Sequence, residues 1–412
     1  MATSLVIQLA RFGDLVQTKR LVASLTSRPG DEVCLVVDHS LRELAKLLYP
    51  HVGVYSIQAH GGGHVQDSTF VRKMIASCTE LRALDADCVY NLNFSGLNMA
   101  LSSLFDPGIV RGYRLEQGQW RKDAWAHMGF RLASRRQSSP LNLVDLWAGY
   151  ARDPIDPAKV NPPATAHGGG IGVVLAGRDP RRSLDTRTLA LLTSAALERV
   201  GHGPIVLLGT RAESRMARDL QSLLRPAVAR EVSDLTGRTH WQGLMEHVQK
   251  LDLLLTPDTG TMHLAAHLGV PVMAFFLASA WCHETGPYGK GHVVVQSVQE
   301  CAPCKEGHRC PHQVCCVASF ASRSLLRYVS GRSIRDWPRD LALYASGFDR
   351  LGSVFHVLAG DDLARDERAA LRELVTIHNH LKTLLDHPAS DDLLKRLYRE
   401  KDWMVHASGT VC

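Results

Sequence analysis

Apolar positions along this chain fall into two alternating rhythms. Short apolar runs at residues 5–9, 33–37, 52–57 and 88–92 have strand length, and stretches of helical spacing stand between them, from about Asp14 and over residues 40–48. Strand and helix in succession predict a doubly wound parallel sheet. The rhythm breaks at residues 154–170, PIDPAKVNPPATAHGGG, a segment too rich in proline and glycine for a helix or a central strand. A second series follows, with strands at 171–175 and 205–208 and around Leu253 and Val272, and a helix near 184–200. After Cys316 the alternation stops, and Leu371, Leu374, Val375, Ile377, Leu381, Leu384 and Leu385 recur at near-helical spacing. The expected organisation is a first α/β domain over 1–155, a linker over 156–170, a second α/β domain over 171–325 and a helical extension over 326–412. Two such domains leave a cleft between the carboxyl ends of their sheets, where ligands bind in doubly wound folds.

The stretch LDLLLTPDTGTMHLAAHLGVPVMAFF, residues 251–276, is the most informative. Two strand-length runs bracket a polar turn and a helix of small residues. Asp258 and Thr259 can cap that helix, Gly260 allows close backbone approach, and His263 follows within the first turn. Unpaired amides and the helix dipole favour an anionic group there, with phosphate the natural occupant. An ordinary capped helix is the competing reading. Upstream, DLTGRT at 234–239 is expected to open an amphipathic helix running through Leu244, Met245 and Val248.

Composition narrows the class. At 412 residues and 45% hydrophobic content the chain can fill two or three cores. A net charge of +6, spread along the sequence, indicates neither a nucleic-acid groove nor a polybasic membrane arm. The densest basic patch of the first half, Arg131, Arg135 and Arg136, reads as a solvated loop, with contact to an anionic acceptor as the alternative. The opening MATSLVIQLARFGD is too short for a signal h-region and lacks a basic leader, and no segment is apolar enough to span a bilayer. A cytoplasmic protein is expected, at most in peripheral contact with the inner face of the inner membrane. Half of the ten cysteines lie between Cys301 and Cys316, unlike a secreted disulfide scaffold.

The segments IQLARFGDLVQTKRL, GPIVLLGTRAE, DLTGRTHWQGLMEHVQKLDLLLTPDTGTMHLAAHLGVPV and ETGPYGKGHVVVQ, in that order over most of residues 1–317, resemble glycosyltransferase family 9, the ADP-heptose:lipopolysaccharide heptosyltransferases. The resemblance implies the GT-B architecture of two facing Rossmann-like domains, the first presenting an acceptor and the second holding a nucleotide diphosphate sugar. It implies transfer with inversion, with ADP-heptose the favoured donor, and a lipopolysaccharide core or protein hydroxyl as acceptor. One departure stands out: FLASAWCHE, residues 276–284, replaces the Phe-Gly-Pro-Thr usual in the family beside the sugar.

By the same resemblance Asp14, in the turn Arg11-Phe12-Gly13-Asp14 after the first strand, is the catalytic base that an acceptor hydroxyl needs. A helix cap is its plain alternative. Arg178, Arg181 and Arg182 stand where the family often has a lysine, and a guanidinium can hold diphosphate oxygens in bidentate fashion. Thr210 and Glu213 occupy the turn that holds the ribose hydroxyls, although a first-turn glutamate is also favoured by the helix dipole. Leu235, Thr236 and Gly237 would lie against adenine, and Asp258, Thr259, Gly260 and His263 at the diphosphate. Gly13, Asn91, Asn93 and Ser95 would line the acceptor side. Asp85-Ala86-Asp87 looks like a metal-binding Asp-x-Asp but precedes a strand and reads as a turn, so no catalytic metal is implied.

Cys301, Cys304, Cys310 and Cys315 have the local spacing of a tetrahedral structural site, zinc before iron, with Cys316, His308 and His312 nearby. A disulfide pair or reduced cysteines packed in a loop are the alternatives. Two other functions keep the fold: a nucleotide-sugar epimerase, which needs no acceptor, and a non-catalytic nucleotide-binding module assembled through the cysteine loop.

Overall fold

A computed structural model describes residues 2–60, 68–177, 180–201, 203–277, 279–304 and 309–380, the last four without their side chains. The chain divides into two compact units. The first comprises Met1–Arg135, Leu143–Asp156 and the chain from Leu371; the second comprises Arg136–Asn142 and Pro157–Ala370.

In the first unit the elements are β1 (Thr3–Gln8), α1 (Phe12–Gln17), α2 (Lys19–Thr26), β2 (Glu32–Asp38), α3 (Arg42–Leu48), β3 (Gly53–Ile57), α4 (Ser68–Arg82), β4 (Cys88–Asn91), α5 (Gly96–Ser102), β5 (Val110–Glu116), β6 (Gln119–Lys122), α6 (Ala124–Ala133) and α7 (Leu143–Ala148). The sheet order is β3-β2-β1-β4-β5-β6, parallel except for the final β5–β6 hairpin. That hairpin escapes the strand–helix rhythm. Its turn residues Gln117 and Gly118 both take positive φ, 51° and 74°, as a two-residue hairpin turn requires. Leu5, Ile7, Cys34, Val36 and Val89 pack one face of the sheet at the period of two expected of strands. Arg20 of α2 is buried with Asp145 of α7, Nη1 to Oδ1 at 2.6 Å, and its Nε donates to Ile155 O at 3.0 Å.

The second unit continues with β7 (Ile171–Val174), α8 (Thr186–Val200), β8 (Ile205–Leu208), α9 (Ser214–Leu223), α10 (Pro226–Ala229), β9 (Val232–Asp234), α11 (Trp241–Val248), β10 (Leu253–Pro257), α12 (Gly260–His267), β11 (Val272–Phe276), α13 (Cys282–Thr285), β12 (Val293–Ser297), α14 (Arg323–Val329), β13 (Leu341–Phe348) and β14 (Ser353–Ala359), and α15 (Arg365–His380) begins in it and passes to the first unit at Leu371. Its sheet runs β14-β13-β12-β11-β10-β7-β8-β9. Alternate residues feed opposite layers: Ile171, Val173, Leu253, Leu255, Met273 and Phe275 enter one core, and Val174, Leu254, Val272, Ala274 and Phe276 the other. A strand covered on both faces must be apolar throughout, hence the unbroken runs.

The α/β class with two Rossmann-like sheets is borne out, and two local expectations are corrected. Residues 234–239 do not open a helix: β9 ends at Asp234, a turn follows, and α11 starts at Trp241 under a His240 cap whose Nδ1 accepts from Gly243 N at 3.2 Å. Among the described residues, the extension after Cys316 is not helical throughout. Residues 341–359 form a hairpin that pairs antiparallel with β12 and so covers the apolar edge the parallel strands would leave open. The helical spacing is realised in α15, whereas Leu381, Leu384 and Leu385 lie outside the described residues. The proline- and glycine-rich linker is fastened along the second unit, with Gly168 N and Gly170 N donating to the Asp252 carboxylate at 2.5 and 2.9 Å. Among the described residues no helix is long and apolar enough to cross a membrane.

Candidate active site

Each sheet reverses its strand order once in its parallel part, between β1 and β4 in the first unit and between β7 and β10 in the second. Loops leaving the carboxyl ends of such strands diverge and leave room for a ligand. The expected site residues fall on these loops.

In the second unit the β10 turn is built from the strand outward. Thr256 is fully buried, and its Oγ1 lies 2.8 Å from Pro257 O and 3.1 Å from Thr259 Oγ1. Thr259, in extended conformation, is the N-cap of α12, its Oγ1 accepting from Met262 N at 3.4 Å. Gly260 is the first helical residue. Capping by Thr259 is therefore as expected, but Asp258 does not share it. Its carboxylate is buried against Arg182, which also donates to Asp258 O at 3.1 Å. Arg182 is thus no solvent-facing residue; it crosses from the β7 loop to the β10 turn. Arg181 stands beside it in the short 3₁₀ turn Pro180–Arg182, and Arg178 lies outside the described residues. His263 is buried with Nε2 3.9 Å from Asp258 Oδ1. Burial, and then the nearby Arg182 charge, pull its ring down to about 3, so it is neutral and no cation for phosphate.

The neighbouring loops are knotted together. Glu213 Oε2 accepts from Thr210 N at 2.6 Å and from Thr210 Oγ1 at 2.8 Å, closing the cap of the turn Arg211–Glu213. The plain reading of Glu213 as a capping residue is realised, and its carboxylate still stands at the carboxyl end of β8. Gly237 N donates to Gly209 O at 2.9 Å. Gly237 has φ +65°, and a Cβ there would meet Arg211 Cα at 2.9 Å, so glycine is required for the two loops to touch. Asp234 Oδ1 accepts from Thr236 N at 2.9 Å and Thr236 Oγ1 at 2.7 Å, which fixes the Leu235-Thr236-Gly237 turn. Thr236 is buried and Leu235 half-buried on the core, so neither is wholly open to a base.

In the first unit Asp14 sits in the opening turn of α1, which starts at Phe12 and includes Gly13, and its Oδ2 accepts from Arg11 N at 3.1 Å. The cap is made, with the carboxylate half-buried at the end of β1. Asn93 Oδ1 accepts from Leu9 N at 2.7 Å and Ala10 N at 3.2 Å, tying the β4 loop to the β1 loop that leads to Asp14. Ser95 caps α5, and its Oγ donates to Asn98 Oδ1 at 2.7 Å. Asn91 is fully buried, its Nδ2 donating to Asn98 O and Tyr113 O at 2.9 and 2.7 Å; it holds the loop rather than lining it. Asp85 has φ 48° and Asp87 accepts from Thr3 N at 2.7 Å, so Asp85-Ala86-Asp87 is the expected turn.

Three groups that hold these loops were not anticipated from the sequence: Thr256, Asp234 and Asn98. The signals exist, because Asp-x-Thr is an Asx-turn pattern and Ser-x-x-Asn a cap pattern. Arg136 is a correction too. It is half-buried and engaged; Nη1 donates to Ser279 O at 2.6 Å and Nε faces the buried Glu284 at 3.3 Å.

Among the described residues no group of three or more His, Cys, Asp or Glu side chains could hold a metal ion. Cys301 and Cys315 are exposed, Cys310 Sγ accepts from Val314 N at 3.4 Å, and Cys316 is buried in the core. Residues 305–308 of the cysteine loop, His308 among them, lie outside the described residues.

Residues 193–313, from α8 through α13 into the cysteine loop, match the model of glycosyltransferase family 9 (heptosyltransferase). No curated protein matches the chain. Among solved structures, a glycosyl transferase family 9 protein from Veillonella parvula has a TM-score of 0.57 at 17% identity, covering 72% of this chain and 88% of that one. The E. coli heptosyltransferase WaaC with ADP has a TM-score of 0.54 at 16% identity, covering 72% and 93%. E. coli ADP-heptose lps heptosyltransferase II has 0.52 at 17%, covering 71% and 90%. The identities are low, and these three likenesses speak for the fold. The family resemblance read from the sequence is borne out, and a glycosyltransferase with it.

Proposed function

We propose that this family 9 glycosyltransferase moves a sugar from an ADP-linked donor, heptose favoured, to a hydroxyl of a lipopolysaccharide core or a protein, with inversion at the anomeric carbon. One observation carries the reading: the loops after β7, β8, β9 and β10 bring Arg181 and Arg182, Thr210 and Glu213, Leu235–Gly237 and the Thr259-capped helix to one edge of one sheet. A nucleoside diphosphate needs a carboxylate for ribose, a small-residue turn for the base, and cations with free helix amides for the diphosphate. The amides of Gly260 and Thr261, with Arg181 and the Asp258-paired Arg182 beside them, supply positive potential as the leaving diphosphate gains charge.

Asp14 is the base. In a single displacement its carboxylate takes the acceptor proton while the acceptor oxygen bonds to the anomeric carbon and the bond from that carbon to the diphosphate oxygen breaks. Asn93 sets the β1 loop from which Asp14 projects. No metal enters these steps, and elemental analysis of the purified protein decides whether the cysteine loop binds a structural one. The work is placed in the cytoplasm, beside the membrane that carries a glycolipid acceptor.

Incubation with a panel of nucleotide sugars and core-oligosaccharide acceptors, read by mass spectrometry, tests the proposal. ADP release matched by an acceptor mass gain of one sugar is expected. Isomerised donor without acceptor would replace the transferase with an epimerase.

A further inference from the structure

Residues 279–284 follow β11, which ends directly beside the Asp258–Gly260 turn, since β10 and β11 pair in parallel through Pro257 and Phe275. Ser279, Trp281, Cys282, His283 and Glu284 of this segment are all buried. Its backbone is gripped by long polar side chains from distant parts of the same unit. Arg136 donates to Ser279 O and pairs with Glu284, at 2.6 and 3.3 Å. Gln296, fully buried on β12, accepts from Cys282 N at 3.1 Å through Oε1 and donates to Ala280 O at 3.1 Å through Nε2. Asn142 Nδ2 donates to Gly286 O at 3.2 Å. Arg368 forks onto Asp362 at 2.6 and 2.9 Å and donates to Gln137 O at 2.5 Å, bracing the strip that carries Arg136.

Glu284 is buried while Arg136 is half-buried, and an ion pair with a buried partner is a costly way to gain stability because desolvation offsets the attraction; where such groups persist, one well-attested use is to fix a single arrangement. The sheet order says what is being fixed. Reading β9-β8-β7-β10-β11, the ribose and base loops come first, the diphosphate turn next, and the β11 segment last. The group beyond the diphosphate in a nucleotide sugar is the sugar. We propose that Arg136 and Gln296 are positioning residues for the transferred sugar: by locking the backbone of residues 279–284 they set the wall of the sugar subsite and the discrimination between donors. This rests on the nucleotide-sugar reading above.

The test compares wild type, Arg136→Met, Arg136→Lys and Gln296→Leu for ADP affinity and for kcat/KM with ADP-heptose and ADP-glucose. Both losses should leave ADP affinity within about twofold while the ratio of the two kcat/KM values collapses by about tenfold or more, the scale of a small misplacement of reacting groups. Arg136→Lys should recover part of the ratio. If the larger changes fail to fold, Asn142→Ala removes one backbone tie and should shift the ratio the same way by about twofold to threefold, the scale of a net hydrogen bond. An unchanged ratio in folded variants of an active wild type overturns the positioning role alone. A wild type that binds no ADP overturns the nucleotide-sugar reading and the subsite with it.

Discussion

The two strand-order reversals of this molecule have the same topology and opposite chemistry. In the second unit the β10 turn answers the β7 loop through a buried ion pair, Arg182 with Asp258, beside a neutral His263 and a threonine-capped helix. In the first unit the corresponding β4 loop answers the β1 loop through an uncharged amide, Asn93 on Leu9 N and Ala10 N, and a lone carboxylate, Asp14, follows. An amide-rich helix start suits an anionic donor. An amide-braced edge with one carboxylate suits proton removal from a hydroxyl. The fold supplies the place twice, and the loop residues decide the chemistry each time.

The comparison can be broken by substitution. Asp14→Asn keeps an acceptor for Arg11 N and so should fold like the wild type, but turnover should fall by about 10²–10⁴-fold, the usual worth of a general base. Unaltered turnover would leave Asp14 as a cap only. Asp258→Ala strands Arg182, whose side chain is 15% exposed, and should cost about 3–5 kcal/mol in urea unfolding. A loss below about 1 kcal/mol would make the pair incidental.

Acid sharpens the contrast. His263 and His292 in the second unit are held to about 3 and about 4 by burial, with Arg182 adding to the shift at His263. Unfolded histidines take a proton as pH falls through about 6.5 while these stay neutral, so the unfolded state binds more protons in that window. Their contribution is complete above about pH 6.5 and lost as pH falls toward 4, about 2 kcal/mol each by pH 5. Hydrogen exchange at pH 7 and 5 should show protection falling first in β10, α12 and β12. First loss in β1 or β4 would reverse the expectation. Smaller still, Glu213→Gln retains the cap on Thr210 N but should weaken ADP by about tenfold, and an unchanged affinity would reduce Glu213 to capping.

Much of this architecture was legible because parallel strands covered on both faces must be apolar runs, as at 33–37, 171–175 and 205–208. The β5–β6 and β13–β14 hairpins were not, since one turns on Gln117-Gly118 and the other follows a stretch that reads as helix. The site positions were legible as turns after strands, but their bonds were not. Nothing in the order of residues says that Asp258 meets Arg182 rather than the helix, or that Asn91 faces inward. Those choices are made by loops 76 residues apart coming side by side at one sheet edge.

The central claim is a diphosphate held at the β7–β10 edge of the second unit, and calorimetric titration with ADP and AMP tests it most directly. A β-phosphate on the helix amides and Arg181 should make ADP bind about 10–100-fold tighter than AMP, the worth of one or two charge-assisted hydrogen bonds. Equal affinities, or no binding of either, would contradict the account.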